Sequence, residues 1–130
     1  MYRYLSLFFA LISLGACAQS TQSAARTDLK VEEVSTLIKS EKEVVLIDVR
    51  TPDEFNGGHI EGALHMNIYD ADFEARLKEL DRDKEYVIYC RSGGRSGKAS
   101  DKMENLGFTN IHNMKGGMMA WDRAGYPSKK

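Results

Sequence analysis

Two short apolar runs constrain the fold of this chain more than any other feature. VVLIDVR, at residues 44–50, is a nearly continuous run of β-branched and other apolar residues, and EYVIYC, at residues 85–90, is a second. Strands with one solvated face alternate apolar and polar residues, whereas unbroken runs of this length are typical of strands buried on both faces of a parallel sheet. The two runs therefore predict the central strands of such a sheet.

The segments around these runs have helical and strand patterns in alternation. Residues 31–40 carry apolar side chains at helical spacing, which predicts a short amphipathic helix. Thr51 begins another helix, because Pro52 takes the first helical position and Glu54 completes a capping box. The remaining predicted elements are strands at 62–68 and 109–114 and helices at 71–80, 96–108 (with Gly107 as C-terminal cap) and 116–125. This alternation predicts one α/β domain with a mostly parallel central sheet flanked by helices.

Composition excludes several classes of function. The 130 residues are 42% hydrophobic and 28% charged, which suits a single domain with its own core. The net charge is -1 and no basic patch stands out in the sequence, so we expect no nucleic-acid partner. The three histidines, His59, His65 and His112, are scattered, and no His or Cys cluster has the spacing of a metal site. No metal or other cofactor is expected.

The first 16 residues are predicted to be a signal peptide and not part of the fold. Their apolar run, residues 5–16, is too short for a membrane-spanning helix, which needs roughly 20 residues. LGAC, ending at Cys17, resembles a bacterial lipobox, which implies cleavage after residue 16 and lipid on Cys17. The alternative is an ordinary secretory signal cleaved nearby. Residues 17–28 are small and polar and are predicted to form a flexible tether to a domain at 29–130.

The resemblance of residues 14–17 to a lipobox also predicts where the protein resides. Residue 18 is Ala and not the Asp that resembles an inner-membrane retention signal. We therefore expect a lipid-anchored protein on the periplasmic side of a bacterial outer membrane. If Cys17 carries lipid, Cys90 has no partner in the chain, and an unpaired cysteine in an exported protein is a candidate reactive thiol.

The loop that follows the second run is suited to ionising a thiol. In CRSGGRS, at residues 90–96, Cys90 ends the strand, and Gly93 with Gly94 allows the backbone to curl. Curled backbone N–H groups beside a helix start bind anions, and Arg91 and Arg95 add positive charge. The same features stabilise a thiolate. We expect the loop to lower the pKa of Cys90 and to hold an anion against it.

CRSGGRS resembles the active-site loop of rhodanese-like sulfurtransferases, and two further segments resemble the same family. LIDVRTPDEFNGGHIEGALHMNI, at residues 46–68, is similar to its Asp-Val-Arg, Glu-Phe and Gly-His-Ile-x-Gly-Ala signature. NMKGGMMAWDRAGYP, at residues 113–127, is similar to its C-terminal Gly-Gly and Trp segment. The three segments occur in the family's order across residues 29–130.

The resemblance implies a sulfurtransferase in which Cys90 attacks an anionic donor such as thiosulfate and forms a persulfide. Cyanide or a thiol then accepts the sulfur. The implied substrate-binding residues are those that follow the cysteine: Arg91, Ser92, Gly93, Gly94, Arg95 and Ser96. Asp48 and Arg50 are expected to support the site, with Asp48 bracing the loop and Arg50 pairing with Glu54. His59 is expected to be structural, and Trp121, Met118 and Met119 to lie in the core or a pocket wall.

Three alternatives stay open at this point. A phosphatase or arsenate reductase of the same fold would resemble Cys-x5-Arg, whereas Cys90 and Arg95 are in the shorter Cys-x4-Arg arrangement. A persulfide carrier or protein-binding module would turn over slowly. Redox chemistry is the third, since exposed thiols of low pKa are readily oxidised.

Overall fold

A computed structural model of the protein describes residues 25–130, which form a five-stranded parallel sheet with helices on both faces. Among these residues, no helix is both long and apolar enough to cross a membrane. The elements in chain order are β1 (Arg26–Leu29), α1 (Val31–Lys39), β2 (Val44–Asp48), α2 (Pro52–Gly57), β3 (Leu64–His65), α3 (Phe73–Lys78), β4 (Glu85–Tyr89), α4 (Gly94–Asn105), β5 (Ile111–Met114) and α5 (Gly117–Arg123). The spatial order of the strands is β1-β5-β4-β2-β3.

The two apolar runs are neighbouring central strands, as predicted. β2 and β4 pair in parallel from Val44 opposite Glu85 to Asp48 opposite Tyr89. Residues 87–89 of β4 have no exposed surface. The unbroken apolar pattern therefore reflects burial on both faces of the sheet.

Two hydrophobic clusters cover the two faces. On one face, Ile88 packs in a cluster that α3 and α4 complete with Leu77 and Met103. On the other face, Val87 packs in a cluster with residues of α1 and α5, including the single tryptophan, Trp121. Successive residues of β4 point to opposite faces, so this strand anchors both layers and fixes where its last residues emerge.

The predicted tether ends too late in the sequence. Residues 26–28 were expected to be flexible, but Arg26–Leu29 form the edge strand β1, which pairs in parallel with β5. An edge strand shows little hydrophobic signal, because Thr27 and Asp28 are exposed and the strand is held by backbone hydrogen bonds. The predicted signal peptide and tether residues 17–24, including Cys17, which is predicted to carry lipid, lie outside the described residues.

The other predicted elements are present with shifted ends. α4 begins at Gly94, two residues before its predicted start, and ends at Asn105, followed by Gly107 in the left-handed region with φ +90°. The strand expected over 62–68 is reduced to Leu64–His65. The predicted capping box at Thr51 is formed, since Thr51 and Glu54 each accept the other's backbone N–H at 3.4 Å.

Candidate active site

Cys90 follows the last residue of β4, at the carboxyl edge of the sheet where α/β proteins bind ligands. Residues 90–96, the Cys90 loop, curl around its sulfur. Gly93, with φ +110°, turns the backbone so that its own N–H donates to Cys90 Sγ at 3.0 Å. The Ser96 hydroxyl lies 3.4 Å from the same sulfur. The start of α4 therefore surrounds the thiol with hydrogen-bond donors.

The beginning of α5 holds the loop from the other side. Met118 N–H donates to Cys90 O at 2.8 Å, and Met119 N–H donates to Arg91 O at 3.0 Å. Gly117 makes this approach possible: it has φ +57°, and a Cβ there would lie 2.4 Å from Cys90 O. Backbone contact with the loop therefore requires glycine at 117, whereas Gly116, with φ +76°, is required by its positive φ and by the Ala120 side chain, which a Cβ would approach to 2.6 Å.

Burial and hydrogen bonding act in opposite directions on the Cys90 thiol. The residue is 1% exposed, and burial, the largest single influence, raises its pKa. The Ser96 hydroxyl and the backbone N–H groups of Ser96, Gly93 and Ser92 lower it. Together the hydrogen bonds outweigh burial, so that the pKa of Cys90 lies below its ordinary value. This environment favours a thiolate nucleophile.

The two loop arginines have different surroundings. Arg95 forms a two-point ion pair with Glu54 of α2, with Nη1–Oε1 at 2.7 Å and Nη2–Oε2 at 2.8 Å. Hydrogen bonding to Arg95, with a contribution from Thr51, overcomes burial and lowers the pKa of Glu54 to about 2. Arg91 is exposed, and within residues 25–130 no ion pair engages it. Arg91 is thus the loop cation whose charge is not already neutralised by a carboxylate.

Comparison with known proteins decides the family. Residues 30–124 match the Rhodanese-like domain family. The chain belongs to the rhodanese-like family.

Relatives and solved structures agree with this assignment. The putative sulfurtransferase YtwF of Bacillus subtilis is 38% identical over 99 residues, covering 72% of this chain and 93% of that protein. A sulfurtransferase of Allochromatium vinosum is 35% identical over 100 residues, covering 77% of this chain and 92% of that one. A rhodanese-related protein from Thermoplasma volcanium superposes with a TM-score of 0.70 at 29% identity, covering 78% of this chain and 96% of that one. The single rhodanese-like α/β domain predicted from the sequence is confirmed.

The expected pairing of Arg50 with Glu54 is wrong. In this rhodanese-like domain Arg50 pairs with Asp48, with Nη2–Oδ2 at 2.7 Å, and also donates to Gly58 O at 2.7 Å. Asp48 and Arg50 are two residues apart on an extended chain and therefore share a side, while the capping box turns Glu54 towards Arg95.

Asp48 was expected to brace the Cys90 loop, but its contacts lie elsewhere. Its carboxylate accepts the backbone and guanidinium N–H groups of Arg50 and makes no hydrogen bond to the described atoms of the Cys90 loop. The buried pair ties the end of β2 to the turn after α2. Burial, together with the charge of Asp48, also raises the pKa of neighbouring Tyr89, whose hydroxyl accepts Ile60 N–H at 3.1 Å. The pair and this hydroxyl form one buried polar group at the ends of β2 and β4.

The other residues singled out in the sequence have packing roles. The His59 ring stacks on Phe55 with centroids 3.7 Å apart, and its Nδ1 lies 2.9 Å from Phe55 O. Trp121 and Met118 are buried in the cluster under α5, as expected. Met119, at 43% exposed, lies on the surface beside the loop and is not a core residue.

Sequence reasoning missed Asn113. This β5 residue is 7% exposed, and its Oδ1 accepts the Ser96 hydroxyl at 2.6 Å. A signal was present: Ile111 and Asn113 are two apart in a strand and face the same side, which places a polar residue on a buried face. Asn113 is therefore part of the hydrogen-bonded surroundings of Cys90.

Proposed function

We propose that this protein is a sulfurtransferase that carries sulfur on Cys90 as a persulfide. The Cys90 thiolate attacks the outer sulfur of an anionic donor such as thiosulfate. The sulfur–sulfur bond of the donor breaks, and sulfite leaves with the bonding electron pair. Cyanide or a thiolate then attacks the terminal sulfur of the persulfide, and the Cys90 thiolate departs with the electron pair of that bond. This is a two-step covalent cycle that regenerates the enzyme.

The observation that carries the proposal is the set of hydrogen bonds converging on Cys90. Gly93 N–H lies 3.0 Å from the sulfur, and the hydrogen bonds of the loop lower the pKa of the thiol despite its burial. Donors arranged in this way stabilise the negative charge both of the attacking thiolate and of the thiolate that leaves in the second step. The names of the sulfurtransferase relatives are consistent with the same chemistry.

The charges at the mouth of the site favour a small anionic donor. Arg91, which follows Cys90 in the chain, is exposed and is free to attract an anion, whereas Arg95 is already paired with Glu54. The loop also curls closely around a single sulfur atom, which suits a persulfide better than a phosphoryl group with several oxygens. The close curl of the loop favours sulfur transfer over phosphatase or arsenate reductase chemistry, whereas the charge of Arg91 would attract any of these anions.

Steady-state kinetics test the proposal. The full-length chain, purified in detergent, would be assayed with thiosulfate and cyanide, with sulfite and thiocyanate measured separately. We expect equal amounts of the two products, parallel-line ping-pong kinetics, and no activity in Cys90→Ser. Sulfite release in an amount equal to the enzyme, without continued thiocyanate formation, would instead indicate a persulfide carrier that needs a protein acceptor. The proposal would be contradicted if thiosulfate released no sulfite and if polysulfide, whose leaving group is a shorter polysulfide or sulfide, left no cyanide-removable sulfur on Cys90.

We also propose that the domain is anchored by lipid on Cys17 to the periplasmic face of a bacterial outer membrane. The support is the 5–16 apolar run followed by LGAC. Cleavage before Cys17 would leave eight residues, 17–24, between the membrane and the first described residue, Ala25. Bacteria expressing the full chain with radioactive palmitate should label the protein, and Cys17→Ser should remain unlabelled. An unlabelled wild-type chain, or one that fractionates with the cytoplasm, would refute this location.

A further inference from the structure

The Ser96 hydroxyl has one proton and three acceptors within reach. Its oxygen lies 2.6 Å from Asn113 Oδ1, 3.2 Å from Gly93 O and 3.4 Å from Cys90 Sγ. A hydroxyl can donate only once. The shortest of the three contacts is to Asn113, so the proton points at the amide when Cys90 is an uncharged thiol.

Asp28 fixes which end of the Asn113 amide faces Ser96. Asp28 on β1 and Asn113 on β5 are directly paired in the sheet, and Asn113 Nδ2 donates to Asp28 Oδ1 at 3.3 Å. The reverse orientation would place the amide oxygen against the Asp28 carboxylate and the amide N–H₂ against Ser96. Two acceptors would then face each other, which is unfavourable. The carboxylate of β1 therefore presents the amide oxygen to Ser96.

We propose that Asn113 is a positioning residue that draws the Ser96 hydroxyl proton away from the Cys90 sulfur and so weakens the hydrogen bond that Ser96 gives to the thiolate. The Ser96 hydroxyl is the largest of the influences that lower the pKa of Cys90. Competition from Asn113 for its single proton therefore holds that pKa higher than the loop alone would set it.

This competition matters because, under the proposed function on which this inference rests, Cys90 is both nucleophile and leaving group. A thiol of lower pKa is more ionised and leaves more readily, but its thiolate is a weaker nucleophile. Asn113 would thus set the balance between sulfur uptake and sulfur release. Charged groups from several elements lie around Cys90. They are Arg91 and Arg95 of the loop, Glu54 of α2, Asp48 at the end of β2 with its partner Arg50, and Asp28 of β1. From α5, the contact is the uncharged Met118 N–H.

The test is the pH dependence of Cys90 alkylation, which needs no sulfur donor. The full-length chain would be treated with iodoacetamide across a pH series, and modification at Cys90 would be measured by peptide mass spectrometry, so that Cys17 does not interfere. The variants are Asn113→Leu, which keeps the side-chain size without an acceptor, Ser96→Ala, and the double variant. For each variant, the alkylation rate at every pH is divided by the rate at the high-pH plateau, and the pH of half-maximal rate is the midpoint. This division corrects for differences in access to the buried thiol.

We expect Asn113→Leu to move the midpoint down by about half to one pH unit, which is about three- to tenfold more thiolate at acid pH. Ser96→Ala should move it up, and the double variant should match Ser96→Ala, because Asn113 acts only through the Ser96 proton. An unchanged or raised midpoint in Asn113→Leu would overturn the proposal. So would a downward shift that persists when Ser96 is absent.

A second variant covers the case in which Asn113→Leu does not fold. Asp28→Asn changes an exposed side chain of the edge strand and releases the amide of Asn113 to turn. We expect a smaller downward shift that disappears in the Ser96→Ala background. A shift of the same size with and without Ser96 would be a direct charge effect and would overturn the proposal. Because alkylation is independent of sulfur transfer, failure here leaves the proposed function to be judged by its own kinetics.

Discussion

The ion pair between Glu54 and Arg95 makes a prediction with a definite sign in pH. Glu54→Gln keeps an oxygen that can cap Thr51 N–H but removes the charge that pairs with Arg95. The pKa of Glu54 is lowered in the folded protein from 4.5 to about 2, first by Arg95 and against the effect of burial. A group whose pKa is lowered by folding stabilises the fold above its unfolded pKa, and this stabilisation is lost as the pH falls through the folded value.

The expected magnitude follows from that shift. One pKa unit corresponds to about 1.4 kcal/mol, so the full shift would be worth about 3 kcal/mol at neutral pH. The two side chains are 22% and 28% exposed, and solvent screening reduces this to about 1 to 2 kcal/mol. Glu54→Gln should therefore lose about 1 to 2 kcal/mol of unfolding free energy at pH 7. The loss should shrink progressively as the pH falls from about 5.5 towards 2, where the wild-type carboxyl is also neutral.

Urea unfolding followed by the fluorescence of Trp121 measures this difference. Trp121 is the only tryptophan, is 2% exposed, and reports on the core under α5. The matched control is Glu74→Gln. Glu74 forms exposed ion pairs with Lys78 of its own helix and Lys102 of α4, and its substitution should cost less than about 0.5 kcal/mol. Equal losses for the two variants, or a Glu54→Gln loss that is independent of pH, would refute the reasoning.

Three further changes have outcomes set by the structure. Gly117→Ala places a Cβ against the backbone of the Cys90 loop and should cost more than about 2 kcal/mol in urea unfolding, whereas Gly125→Ala, with a similar positive φ but open space, should cost about 1 kcal/mol. Asp48→Ala leaves Arg50 buried without its partner and should cost about 3 to 5 kcal/mol by the same measurement. Arg91→Ala should raise the KM for thiosulfate about three- to tenfold at low salt with little change in kcat, and the difference in KM between variant and wild type should shrink as salt is added. A salt-independent change in kcat would argue that Arg91 does not attract the donor by its charge.

The fold could be predicted because its central strands leave an unmistakable pattern. The runs at 44–50 and 85–90 are apolar on both faces, and helical spacing between them specifies the alternation of strand and helix. β1 could not be found in this way. Its residues are mostly polar, and it exists because backbone groups of Arg26–Leu29 pair with β5 rather than because its side chains are buried.

The candidate site was predictable where local sequence determines local structure. Gly93 and the start of α4 form the curled loop from adjacent residues, so the direct hydrogen bonds to the Cys90 sulfur follow from CRSGGRS. Contacts between distant segments were not predictable. The pairing of Arg95 with Glu54 depends on how α2 lies against α4, and the contact between Asn113 and Ser96 depends on how β5 lies against α4.

The mass of the Cys90 peptide after exposure to thiosulfate shows whether Cys90 takes up sulfur. The full-length chain would be treated with thiosulfate, alkylated and digested, with Cys90→Ser treated in parallel. We expect the Cys90 peptide to gain one sulfur atom, cyanide to remove it, and Cys90→Ser to gain none. A Cys90 that stays free and alkylatable after thiosulfate, with no added sulfur, would contradict the claim that this residue takes sulfur from thiosulfate.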